Sequence, residues 1–234
     1  MRALPRAASW CSWCLVLIGC GPVEAPVLVD AILAAPGASG TGRGDAALAV
    51  NGVRGAGEHA GSLDVYSLPP GDDAWLALDL GGTLRDGPGA ELVVFENPFL
   101  ISGGPRRFMD PLVVEVSADG TRWLAFPHDY QAPDEARYSW EPGSWRGFAG
   151  ISPVRLHEED APGDPFDAEA AGGDAFDLAS LPGPEGAALR AEGVRFVRLV
   201  SARIVTNPDT GLPYPHDPLS DGPDVDGVYA RHLD

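Results

Sequence analysis

Thirty glycines and twenty-three prolines punctuate this 234-residue chain, so densely that no stretch of twelve residues keeps the period of an amphipathic helix. Only Ala187–Glu192 reads as a helical turn or two. Between the breakers lie short runs rich in β-branched and aromatic residues. Trp75–Leu80 reads as a strand closed by a Gly81-Gly82 turn, and Glu91–Glu96 as an apolar strand ended by Asn97-Pro98. Leu112–Ser117, the Asp119-Gly120 pair and Trp123–Phe126 together form the strongest hairpin signal. Val194–Val200 is another strand, and Val225–Leu233 is placed to close the sheet. Many short strands with turn residues between them indicate an all-β fold, an antiparallel jelly-roll-like sandwich with long loops.

The N-terminus sets an address. Arg2 and Arg6 precede the apolar run Trp10–Gly19, which is shorter than the roughly 20 residues a spanning helix needs. Leu17-Ile18-Gly19-Cys20 resembles the lipobox of bacterial lipoproteins. Residues 1–19 are therefore expected to be a signal peptide and Cys20 the lipidated first residue of the mature chain. Residues 20–26 are expected to form a tether, and residues 27–234 a single domain. This implies an exported lipoprotein held by its lipid at the outer membrane or cell surface, with the membrane as its first partner.

Every basic residue is arginine, and loss of the two in the leader takes the formal charge from −18 to −20. Such a surface repels nucleic acid and anionic headgroups and favours cations. Cys11 and Cys14 leave with the leader, and Cys20 is taken by lipid. No thiol remains for a disulfide, so the core must hold the fold.

Ala34–Gly61 reads as loops around one or two weak strands. It contains Arg43-Gly44-Asp45, a tripeptide that chance explains in so glycine-rich a stretch. His128–Pro153 and Thr206–Pro223 are long polar loops, and loops of that length in a domain are commonly functional or mobile.

Several ordered segments resemble a family of bacterial cell-surface lipoproteins common in myxobacteria and leptospires. They include Gly61–Val65, Asp86-Gly87-Pro88-Gly89, Val94–Phe99, Val114–Trp123, Ala149–Val154, Gly172–Leu178 and Asp224–Val228. The hairpin Ser117–Trp123 and the strand from Val194 are also similar to discoidin and galactose-binding-like domains, which implies a sandwich by analogy. The resemblance implies surface exposure and ligand or ion binding, with no established catalysis. Two features depart from it. Relatives carry a cysteine pair near the positions of His128 and Phe148, and Pro223 and Gly227 alter the closing acidic motif.

Calcium takes six to eight oxygens from carboxylates, amides and carbonyls in loops. Glu96, Asn97, Asp174, Asp177, Asp224 and Asp226 stand at strand ends and turns. If those ends meet at one rim, the six form a calcium site. The same acids also suit hydrogen bonds to the local backbone, and the spacing admits both readings. Histidines are scattered without zinc-site spacing, and no nucleophile elbow or phosphate-binding loop occurs. The chain is thus expected to be a non-catalytic binding or structural module. One alternative is a carbohydrate-binding protein using Tyr138, Trp140 and Trp145 as a platform for a glycan or surface protein, although these rings also suit packing under their own loop. Another is a glycan hydrolase, which needs only two suitably spaced carboxylates.

Overall fold

A computed structural model describes residues 25–101 and 103–234. The expected signal peptide, residues 1–19, and Cys20 lie outside the described residues. Two antiparallel sheets form the body. One runs, edge to edge, Val27–Leu28, Gly227–Ala230, Leu92–Phe95 and Asp174–Phe176. The other runs Ala31–Ala34, Trp75–Leu84, Val194–Ser201, Leu112–Ser117 and Leu124–Ala125. This is the expected all-β sandwich. Among the described residues no helix is long and apolar enough to cross a membrane.

Side chains alternate across each strand, and the alternation builds three cores. Leu92 and Val94 face inward, where they join Leu76, Leu78, Val197 and Leu199 of the facing sheet. Val93 and Phe95 face outward and pack with Val53, Val154 and Leu156 under a covering loop. On the outer side of the five-stranded sheet, Val113 and Val200 pack beneath Tyr130, Trp145, Phe148 and Tyr214. Each fully buried Leu, Val or Phe contributes about 1.5–3 kcal/mol, so these three clusters hold the fold without a disulfide.

Several sequence expectations change in detail. The strand from Trp75 does not stop at Gly81-Gly82 but continues to Leu84. Leu84 pairs with Val194, and a register shift before Phe196 absorbs the irregularity. The helix spans Gly183–Glu192, longer than the turn expected. Ala34–Gly61 forms two 3-10 turns, Gly42–Gly44 and Ala46–Ala49, where weak strands were expected. Asp45 caps the second turn by accepting from the Ala47 N–H at 3.0 Å, so Arg43-Gly44-Asp45 serves the local fold.

The Asp119-Gly120 hairpin forms between Leu112–Ser117 and Leu124–Ala125. Asp119 accepts from the N–H groups of Thr121 and Arg122, and these bonds hold its carboxyl well below the usual range. The Gly172-Gly173 pair also has a steric cause. A Cβ on Gly172, at φ +74°, would stand 1.9 Å from the Pro153 carbonyl oxygen. Only glycine lets the two backbones approach that closely.

Candidate functional site

The strand Leu92–Phe95 carries a buried glutamate at each end, Glu91 before it and Glu96 after it. Five residue steps at about 3.3 Å put the two roughly 17 Å apart. The acidic residues that sequence places at one rim therefore fall at two ends of the sandwich.

At the Glu91 end, the Asp86-Gly87-Pro88-Gly89 turn folds back over the strand. Glu91 accepts from the Gly87 N–H at 2.9 Å through Oε1 and from the Leu178 N–H at 2.7 Å through Oε2. Asp177 enters because Asp174–Phe176 pairs antiparallel with Leu92–Val94, which sets the following residue beside Glu91. Its Oδ1 accepts from the Ala179 N–H at 2.8 Å. Oxygens of Asp86, Glu91 and Asp177 lie within 4.8 Å of one another, and no other such group of three occurs among the described residues. Burial raises the Glu91 carboxyl above its ordinary range, and the charges of Asp177 and Asp86 push the same way. Arg190 Nε lies 3.9 Å from Asp86 Oδ2.

The Glu96 end opens on a cleft of about 530 Å³. Glu96 continues the inward face of Leu92 and Val94, so its carboxylate enters the end of the space between the sheets. It is 3% exposed. Oε1 accepts from the Asp224 N–H at 2.8 Å, whereas Oε2 is buried with no partner. Burial raises its pKa well above the ordinary value, with the charges of Asp110 and Asp224 adding to the effect. Asp110 accepts from the Ser220 hydroxyl at 2.5 Å, and burial pushes it up to about 6. Asp224 accepts from the Ser67 hydroxyl and from Arg43. Asn97 lines the cleft but spends its amide on both backbone groups of Ser62.

The six expected ligands therefore do not converge. Glu96, Asn97 and Asp224 share the cleft, while Asp177 belongs to the triad at the far end. Asp174 accepts from the N–H groups of Ile151 and Ser152 at 2.9 and 3.3 Å, which pins the covering loop. Asp226 is 1% exposed; its Oδ1 accepts from the Arg54 N–H at 2.9 Å and its Oδ2 has no partner. Burial pushes Asp226 up to about 7. These two positions serve the backbone, the other reading that the sequence allows.

Of the three aromatic residues that sequence offers as a platform, one is buried. Trp145 is 2% exposed and donates to the Ser139 carbonyl at 2.8 Å. Tyr138 packs on Trp145 and Trp140, with its hydroxyl donating to the Met109 carbonyl. Trp140 donates to Asp217 at 2.9 Å. The three rings pin their own loop to the body, with Trp145 buried and Tyr138 and Trp140 partly exposed.

Sequence reasoning misses Asp86, Glu91 and Asp110 as site residues. For the first two a signal existed, two acids flanking a Gly-Pro-Gly turn directly before an apolar strand. Asp110, which precedes Pro111 in a loop, had none. No family model, curated protein or solved structure matches this chain.

Proposed function

We propose that this chain is a lipid-anchored, non-catalytic surface binding module whose loops are ordered by a calcium ion at Asp86, Glu91 and Asp177. One observation carries the reading: three carboxylates gathered within 4.8 Å around a buried glutamate. Ligand oxygens at 2.3–2.6 Å from calcium lie no more than about 5 Å from each other, so the triad suits one ion. Each carboxylate oxygen has a second lone pair, and the N–H groups that hold Glu91 and Asp177 leave it available. An ion there would offset the burial and the repulsion that raise Glu91, and would tie the Asp86–Gly89 turn to the residues after Phe176. Carboxylates fixed by backbone N–H groups suit holding a cation better than moving a proton.

In a melting experiment on the full chain in detergent, calcium at a hundred times its Kd contributes about 2.7 kcal/mol. At about 2–4 °C per kcal/mol, the melting temperature rises by roughly 5–10 °C, and a chelator reverses the rise. Asp177→Asn removes most of the effect. A melting temperature that ignores both calcium and chelator refutes the ion.

The anchor rests on Leu17–Cys20. Cys20→Ala abolishes incorporation of labelled palmitate in a lipoprotein-processing host. Full labelling of that variant refutes the anchor.

A further inference from the structure

The cleft at the other end of the Leu92–Phe95 strand differs chemically from the triad, and nothing in the calcium reading uses it. Its acceptors are the carboxylates of Asp110, Asp224 and Glu96, the last buried in its wall with one oxygen unpartnered. Its donors are already spent: Ser67 on Asp224, Ser220 on Asp110 and the Asn97 amide on Ser62. A ligand that brings donors and positive charge fits, because it supplies the partner that the buried Glu96 carboxyl lacks and favours its charged form.

We infer that this cleft binds a guanidinium or alkylammonium group carried on an apolar stem. Four observations favour an organic cation over a metal. Glu96, Asp110 and Asp224 do not draw three oxygens within 4.8 Å, as one ion would require, whereas N–H groups radiating from a planar cation reach acceptors set wider apart. A guanidinium already occupies part of the site, because Arg43 reaches in from its 3-10 turn to pair with Asp224. Beside the carboxylates stand the half-buried rings of Phe99 and Phe108, with centroids 5.1 Å apart, and Leu219 at the rim is 76% exposed. Rings near a cation attract it through their faces, and an apolar stem gains contact area on them. The volume lies within the range of organic-ligand sites and far exceeds the need of one ion. A formal charge of −18 draws cations toward the mouth.

The test is isothermal titration calorimetry on the full chain in detergent, with 1 mM calcium present so that the triad is not left in question. Agmatine stands for a free organic cation, and N-acetyl-arginine methylamide for a side chain of a partner protein. Saturable binding of either probe is expected, and the tighter one identifies the source. Glu96→Gln, which keeps the side chain's size, weakens binding at least tenfold. Arg43→Gln tightens it several-fold by removing the resident competitor. The inference fails if neither probe binds the wild type or Arg43→Gln. It also fails if Glu96→Gln leaves the Kd unchanged, or if raising calcium to 20 mM at constant ionic strength displaces the probe. None of these outcomes bears on the chelator result for the triad, so the two readings stand or fall separately.

Discussion

Trp145→Ala lowers the melting temperature by about 10 °C or more. Trp145 is 2% exposed at the centre of the outer aromatic cluster. Tyr130 lies 4.1 Å from it between ring centroids, Phe148 5.2 Å and Tyr138 5.5 Å. Truncating a buried tryptophan costs about 3–5 kcal/mol, because transfer energy is lost and a cavity remains. Here the change also orphans the Ser139 carbonyl. A domain of this size loses roughly 2–4 °C per kcal/mol. Thermal unfolding followed by near-ultraviolet circular dichroism reads the effect. A shift below 2 °C shows that the loop is not fastened to the body through this ring.

The second large effect is a fall in stability between pH 5 and pH 7.5, measured in chelator. Asp110 and Asp226 are raised to about 6 and about 7, burial being the main cause for each. A carboxyl whose folded pKa exceeds its unfolded value binds its proton more tightly in the folded state. Its contribution is complete below the unfolded value near 4 and is lost as pH rises through the folded value. At about 1.4 kcal/mol per pH unit per group, the pair loses on the order of 4 kcal/mol over this window. Glu91 and Glu96 are raised too and act in the same sense. Asp119 and Glu58 are lowered, so their contributions change only in more acid solution and do not offset the fall. The melting temperature therefore drops by about 10 °C from pH 5 to pH 7.5, and Asp226→Asn flattens the upper part of the slope. A flat profile across that range contradicts the burial of these two acids.

The strands were legible because their periodicity is local, and local pattern is what a sequence exposes. Leu92–Phe95, Leu112–Ser117 and Val194–Ser201 each stand where β-branched runs end at turn residues. Extension of the second-sheet strand through Gly81-Gly82 was not legible, because its cause is pairing with Val194 more than a hundred residues away. The helix Gly183–Glu192 was half-hidden by its opening Gly-Pro-Glu-Gly, which reads as a turn until packing selects a helix. The acids show the same limit. Asp174 and Asp177 look like one motif, yet Asp174 accepts from the covering loop while Asp177 joins Asp86 and Glu91. Glu96 and Asp224 meet through one long-range hydrogen bond, and Asp110 joins them from a loop with no pattern of its own.

The rings over the five-stranded sheet also bear on how the chain is made. From residue 21 onward there is no cysteine to cross-link, and the long segment around Trp145 is fastened by stacked rings and hydrogen bonds. Folding of this domain therefore asks nothing of the redox state around it. It reaches the same structure, with the same melting behaviour, in dithiothreitol as in air, and no thiol oxidase or disulfide isomerase has to act on it.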